Sequence, residues 1–263
     1  MGKAAEILAD SKKVVLKIGS NVLAGNDGVL DNERVRSVVG QALGLISAGK
    51  RVILVSSGAG VSGAAKVGRL NRKNDINYKQ ALCAVGQVEL MMEYKRHFAD
   101  SGRTVAQILL TTENFTDGQS TLNIRNTLFT LLDEDVVPVI NENDSVCIRE
   151  FSFGDNDNLA ALTANLWNAD LLIIMSDVDG VFDSSPNEDP KARLIEEITD
   201  LDSLGEKIVT SGVSSFGTGG MDSKLEAAKT VGQYGIPMLL VNGRRENILD
   251  DVAAGGRCTV FTL

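Results

Sequence analysis

The chain predicts an α/β fold built on a mainly parallel open sheet, and three observations carry that expectation. Short aliphatic runs alternate with longer helical segments along the whole chain, the pattern of repeated βαβ units. Aromatic residues make up only 5% of the sequence while glycine reaches 26 residues, a mixture suited to aliphatic strands joined to helices by glycine turns. With 263 residues and 43% hydrophobic content, the chain is long enough to bury one large continuous core.

Taken in order, Val14 to Ile18 reads as the first strand, about Asp31 to Ala48 as a helix and Arg51 to Val55 as the next strand, one βαβ unit. A helix from Tyr78 to Ala99 precedes a strand from Thr104 to Leu109, and a helix from Leu122 to Leu132 leads into Val136 to Ile140. The polar stretch from Asn141 through Phe153 reads as a loop or small hairpin, followed by a helix from Asn158 to Trp167 and the buried strand Leu171 to Met175. A polar region around Pro186 to Lys191, a helix starting near Gly219, and strands Pro237 to Val241 and Cys258 to Phe261 complete the pattern. No fixed-period repeat or low-complexity tract interrupts it.

Charge and composition exclude several classes of function. A formal net charge of -9 opposes a general nucleic-acid-binding role, because such a surface must be basic to displace counterions from phosphates. Met1 to Lys13 lacks the apolar stretch of a signal peptide, and no later segment is apolar enough to cross a bilayer, so a cytoplasmic protein without membrane attachment is expected. Cys83, Cys147 and Cys258 are odd in number and lack metal-ligand spacing, as expected of scattered reduced thiols without a chemical role. His97 is the single histidine and stands beside Lys95 and Arg96, where a solvated helix face is expected. Histidine triads and histidine-rich metal sites are thereby excluded.

Several glycine-rich and polar loops follow strands. Ser56 to Gly63 contains a formal G-x-G-x-x-G directly after a strand, but the acidic strand end of a dinucleotide site is missing about 20 residues on, where Asn77, Tyr78 and Lys79 stand. Two readings remain for it: N–H groups approaching an anion at a helix N-terminus, or a tight strand-to-helix turn. Lys17 ends the first strand and precedes the small polar residues Gly19, Ser20 and Asn21. A lone lysine there is usually solvated, and it becomes functional only with partners at neighbouring strand ends. One such partner is Gly217 to Lys224, with three glycines and a lysine on the first turn of a helix, where the helix dipole and the ammonium both favour phosphate. Asn141-Glu142-Asn143-Asp144 and Asp155-Asn156-Asp157-Asn158 are two further polar clusters. Asp157 or Asn158 reads as a helix N-cap. Even so, five acids between Glu142 and Asp157 with only Arg149 among them need a cationic ligand or lysines from elsewhere.

Six segments in this order, V-V-L-K-I-G-S, V-S-S-G-A, I-N-E-N-D, G-D-N-D-N-L-A-A, S-D-V-D-G-V-F and G-T-G-G-M-x-x-K, resemble the amino-acid kinase family across nearly the whole chain. N-E-N-D with G-D-N-D-N aligns the chain with members that phosphorylate free glutamate, rather than with acetylglutamate, aspartate, carbamate or uridylate relatives. The resemblance implies a three-layer α/β/α sandwich and a single domain over residues 1–263, with glutamate binding in the half up to about residue 167 and ATP binding from about residue 168. It implies that Lys17 and Lys224 contact the transferring phosphoryl group from opposite sides and that Asp157 holds both ammonium groups. Ser57, Asp144 and Asn156 match substrate contacts. Lys17, Ser176, Asp177 and Thr218, Gly219, Gly220, Met221, Asp222, Ser223 and Lys224 match the nucleotide site. Magnesium is expected to arrive on ATP without a dedicated carboxylate cage.

Further expectations from the resemblance are proline as a feedback inhibitor and a homo-oligomer. Many bacterial members carry an additional C-terminal domain of the PUA type, and this chain stops at Leu263, so a short form is expected. Gly60 stands where the family pattern has a branched aliphatic residue. Phosphoryl transfer itself needs positioning and charge neutralisation more than covalent help from the protein. Two unit charges ~4 Å apart interact by roughly 4 kcal/mol at an effective dielectric of 20, enough for two lysines to dominate such a step. The alternatives are another family member such as an acetylglutamate kinase, a non-catalytic nucleotide-binding protein on the same fold, and an NAD-dependent oxidoreductase.

Overall fold

A computed structural model describes residues 2–67, 75–147, 156–186, 189–201, 204 and 220–263. In chain order the elements are α1 (Lys3–Asp10), β1 (Lys13–Ile18), α2 (Ser20–Leu23), α3 (Asn32–Ser47), β2 (Arg51–Ser56), α4 (Ala59–Val67) and α5 (Ile76–Ala99). They continue with β3 (Val105–Leu110), α6 (Gly118–Asp133), β4 (Val137–Glu142), α7 (Asn156–Trp167), β5 (Leu171–Ser176) and β6 (Glu197–Ile198). Last come α8 (Met221–Gly232), β7 (Met238–Asn242), α9 (Ile248–Ala253) and β8 (Thr259–Phe261). No helix among the described residues is long and apolar enough to cross a membrane.

The chain divides into two compact units, Ile18–Glu150 and the combination of Met1–Lys17 with Phe151–Leu263. In the first, β2, β4 and β3 lie side by side and parallel, with Leu54 opposite Val139 and Ile108 opposite Ile140. In the second, the strand order is β1, β5, β7, β8, β6. There β5 and β7 are parallel, with Ile173 opposite Leu239, while β8 runs antiparallel to β7 and parallel to β6. All six residues of β5 are buried, the near-continuous aliphatic run of a strand covered on both faces.

Helix starts lie at their caps rather than at the first apolar residue. Asp31 accepts from the N–H groups of Glu33 and Arg34, Asp75 from Tyr78 and Asp117 from Ser120. A cap of this kind is worth about 1 kcal/mol and places α5 and α6 two and four residues ahead of their apolar periodicity. The strand β4 runs on through Asn141 and Glu142 because the ladder continues opposite Leu109 and Leu110, although both residues read as loop in the sequence. Short helices gave no periodic signal: α1, α2 and α9 are eight, four and six residues long. In α1, Ala4, Ala5 and Leu8 are nonetheless buried. The start of β1 is fixed by Asp170, whose Oδ2 accepts from the N–H groups of Lys12 and Lys13 at 2.8 Å each.

His97 is a correction to the sequence reading. It is buried in α5, with Nε2 3.7 Å from Glu93 Oε2, because it shares its face with the fully buried Tyr94 and Phe98.

The formal G-x-G-x-x-G serves packing. Gly58 adopts φ +102°, a left-handed conformation that glycine takes without steric penalty, and it turns β2 into α4. A Cβ on Gly63 would lie 1.9 Å from the carbonyl oxygen of Leu82, and one on Gly86 would lie 1.8 Å from that of Ala59. The backbones of α4 and α5 therefore meet through a pair of glycines. Gly63→Ala and Gly86→Ala are each expected to destabilise the chain by about 1–3 kcal/mol, the usual cost of overpacking, and urea denaturation measures it. An unchanged midpoint in both would mean that the two helices do not cross this closely.

Candidate active site

β1 is aliphatic and buried from Val14 to Ile18 except for one charge, Lys17, which is only 4% exposed. A buried ammonium needs a counter-charge, and Asp157, in the first turn of α7 and completely buried, supplies it through Oδ1. The other oxygen of the same carboxylate, Oδ2, accepts from Lys224 Nζ at 3.2 Å and from Ser223 Oγ at 2.7 Å. Lys224 is 5% exposed and stands in the first turn of α8. One carboxylate thus holds two ammonium groups on opposite oxygens. Asp157 is not the N-cap that the sequence suggested, since α7 already begins at Asn156.

The N-cap of α8 is Gly220, which has no side chain to cover the first N–H groups of the helix. Its carbonyl accepts from Ser223 Oγ at 2.9 Å and from Lys224 Nζ at 3.4 Å. The helix thereby begins with Met221, Asp222 and Ser223 at a positive dipole end reinforced by an ammonium, an arrangement that favours phosphate. Ser176 ends β5 and donates from Oγ to Asp177 Oδ1 at 3.2 Å. Thr218 and Gly219, together with Gly217 and Asp155, lie outside the described residues.

The electrostatics of this centre are uneven. Burial pushes the Asp157 carboxyl up, but Lys17 and then Lys224 pull it down further, so it titrates below the ordinary carboxylate range. Burial pulls Lys224 below its ordinary value; Asp157 opposes that shift and Lys17 adds to it. Two ammonium groups share the Asp157 carboxylate, and the charge of Asp177 also acts on Lys224.

In the Ile18–Glu150 unit the contributions are of opposite sign. Ser57 follows β2 and is 6% exposed, its N–H donating to Ile18 O at 3.0 Å. Asp144 lies in the turn that follows β4. Burial raises its pKa, although the Cys83 thiol and a backbone N–H counter part of the effect. Glu142 is raised by burial too, a hydrogen bond from Cys147 working against it, with the charges of Asp144 and Glu113 adding to it. Asn156 belongs to the other unit, where it is 5% exposed at the start of α7.

Sequence reasoning gave the cysteines no role, yet two of the three stand at this acidic turn. Cys83 faces Asp144 from α5, and Cys147 Sγ donates to Glu142 Oε1 at 3.3 Å. It also passed over Gln87, whose Oε1 accepts from Asn141 Nδ2 at 2.7 Å. The available signal was spacing: Gln80, Cys83 and Gln87 recur at i, i+3 and i+7 on one helix face.

Removing the carboxylate of Asp157 leaves two buried ammonium groups without a counter-ion, so Asp157→Asn is expected to destabilise the apo chain by about 3–5 kcal/mol. Lys224→Met should cost far less, because it removes a desolvated charge. The depressed Asp157 pKa contributes stability that is present at neutral pH and lost as pH falls below about 3.9 and on through the lower folded value. Urea titrations of both variants and of the native chain from pH 7 downwards check the three statements.

With this geometry in place, comparison with known proteins is informative. The profile of the amino acid kinase family matches residues 12–242. A glutamate 5-kinase from Alkaliphilus metalliredigens is 51% identical over 257 residues, covering 97% of this chain and 97% of its own. One from Syntrophotalea carbinolica is 45% identical over 98% of this chain and 69% of its own. Among solved structures, carbamate kinase from Giardia lamblia bound to AMP-PNP superposes with a TM-score of 0.68 at 17% identity, covering 97% of this chain and 99% of that one. UMP kinase from Ureaplasma parvum superposes at 0.66 and 18%, with 96% and 99% covered. The fold is that of these kinases, as the three-layer expectation had it. The chain belongs to the amino acid kinase family, within its glutamate 5-kinase branch.

Proposed function

We propose that Lys17, Asp157 and Lys224 form the centre at which this kinase transfers the γ-phosphoryl group of ATP to the side-chain carboxylate of L-glutamate, giving L-glutamyl 5-phosphate and ADP, the first step towards proline. The observation that carries this reading is the pair of buried ammonium groups held on opposite oxygens of one fully buried carboxylate. Nucleotide binding alone does not call for two such groups with a shared counter-ion.

The glutamate carboxylate is ionised at neutral pH and attacks phosphorus directly, so no general base is needed. A bond forms from its oxygen to phosphorus while the bond from phosphorus to the bridging oxygen of ADP breaks. Lys17 and Lys224 neutralise charge on the moving phosphoryl group, and Asp157 keeps both ammonium groups in place as positioning residue. The nucleotide is held by Ser176, Asp177 and the run from Thr218 to Lys224, including Gly219, Gly220, Met221, Asp222 and Ser223. Among the described residues no cluster of three or more acidic, histidine or cysteine side chains fits a metal ion. Magnesium is taken to come with ATP, where it would offset the charge of the phosphates, a reading that follows from the family resemblance, and no residue is assigned to it.

Glutamate recognition is assigned to Ser57, Asp144 and Asn156, with the Asp144 carboxylate receiving the free α-ammonium group. Inhibition by proline, self-association and a cytoplasmic setting complete the reading and follow from the family resemblance.

Mixing the protein with ATP, magnesium and hydroxylamine tests the assignment, with glutamate, acetylglutamate or aspartate as acceptor. Hydroxamate is expected with glutamate alone, and Lys17→Ala or Lys224→Ala is expected to lower kcat by roughly a thousandfold or more with the fold retained. Acceptor-independent ADP release, or near-normal turnover in Lys224→Ala, would overturn it. A second expectation concerns pH. Burial raises the Asp144 pKa and ammonium binding needs the ionised carboxylate, so kcat/KM for glutamate should fall on the acid side along a limb lying above the ordinary aspartate value of about 3.9. Asp144→Asn should raise the glutamate KM and leave only the acid limb of the substrate's own side-chain carboxyl, at about 4.3, as initial rates from pH 8 downwards will read.

A further inference from the structure

Helix α5 meets the acidic turn at three points along one face. At the near end of the turn Gln87 Oε1 accepts from Asn141 Nδ2 at 2.7 Å, with Gln87 8% and Asn141 2% exposed. At the far end Gln80 Nε2 donates to the carbonyl of Cys147 at 3.1 Å. Between them Cys83 faces Asp144. The helix itself is fixed by the Gly63 and Gly86 crossing with α4, the helix that starts two residues after Ser57. A Cβ on Gly60 of α4 would stand 3.4 Å from Cys83 Sγ, so the small residue at this position leaves the thiol its room.

The orientation of the Gln87 contact is determined by its neighbours. Asn141 Oδ1 accepts from the Glu142 N–H at 2.9 Å, which turns Asn141 Nδ2 towards Gln87 and makes the Gln87 oxygen the acceptor. The Gln87 Nε2 group has no hydrogen-bond partner among the described residues. A buried donor left unpaired is destabilising; an apolar side chain of similar volume would remove that cost and would take the acceptor from Asn141 Nδ2, so the two effects on stability oppose each other. Glutamine at this position is explained by what it does to Asn141.

From this we infer that Gln87 is a positioning residue for substrate recognition: through Asn141, and together with Gln80 at the far end, it clamps the Asn141–Cys147 turn to α5 in the conformation that presents Asp144 to the substrate ammonium group. The inference rests on the assignment of Asp144 to that group. Gln87 touches no substrate itself. Its expected effect is on glutamate, whose ammonium group Asp144 receives in the proposed function.

The test compares Gln87→Met, Gln80→Met and Gln87→Glu in the full chain, with thermal unfolding recorded for each. Gln87→Met is expected to raise the glutamate KM about tenfold, the effect of losing one orienting hydrogen bond, with kcat and the ATP KM within about twofold and an unfolding temperature changed by only a few degrees. Gln80→Met should act in the same direction. Gln87→Glu keeps an acceptor for Asn141 and should restore most of the glutamate KM. In an Asn141→Ala background Gln87→Met should add nothing further. A lowered unfolding temperature with kcat and both KM values drifting together would mean a purely structural role and overturn the inference. So would an unchanged glutamate KM in Gln87→Met where Asp144→Ala raises it. A glutamate KM indifferent to Asp144→Ala would instead remove the substrate assignment, and this clamp with it.

Discussion

The structure depends most on one carboxylate. Asp157 is completely buried, and its two oxygens hold Lys17 from β1 and Lys224 from α8. Neither lysine is tolerable at its position without it, since an unpaired ammonium in an aliphatic strand or helix face costs several kcal/mol. The unit made of Met1–Lys17 and Phe151–Leu263 is therefore organised around an ion triad as much as around its apolar core. The ends of β1, α7 and α8 converge because their charges require it. Ion triads of this kind are poor devices for stability compared with well-packed apolar groups, which makes function the better explanation for keeping one.

The other unit achieves its geometry by packing. Gly63 and Gly86 let α4 and α5 touch backbone to backbone, and that contact sets where both helices lie relative to the strands between which they run. The turn after β2, with Ser57, and the turn after β4, with Asp144, are both referred to α5. Cys83 is where the two references meet, close to Gly60 on one side and to Asp144 on the other. A Cβ at residue 60 would stand 3.4 Å from this thiol, an ordinary van der Waals contact.

Much of this was legible in the sequence, and the exceptions share a physical cause. Strands such as Leu171–Ser176 announce themselves because burial on both faces demands an unbroken aliphatic run. Lys17 stands out for the complementary reason, as the one charge inside such a run. Apart from the grouping of Lys17, Asp157 and Lys224, which the family resemblance implied, what sequence could not give was carried by contacts between distant segments. Ser223 reaching Asp157, His97 hidden beside Tyr94 and Phe98, and Gln87 bonded to Asn141 all involve partners or coverage that no local pattern encodes. Helices of four to eight residues escaped because two turns or fewer show too few repeats of the 3.6-residue period. The formal dinucleotide motif shows the converse error, a correct local pattern whose third glycine answers to a neighbouring helix.

Charge imbalance links the two units to the proposed reaction. Burial depresses the Lys224 pKa, with Lys17 adding to the shift and Asp157 and Asp177 opposing it. In the turn after β4 burial raises both Asp144 and Glu142, and the charges of Asp144 and Glu113 add to the rise at Glu142. Burying charge is unfavourable in both places, and in the proposed reaction each would be relieved by a reactant of opposite sign, an anionic phosphoryl group in one case and an ammonium group in the other. Binding energy is then largest for the ligand that carries both the missing charge and the right shape. An N-acylated glutamate brings no ammonium group for the half-buried Asp144 carboxylate, and sites built around a specific polar contact reject analogues lacking it far more strongly than apolar pockets reject a change of size. In this reading the same unfavourable burial that lowers the stability of the empty protein is the source of its substrate discrimination.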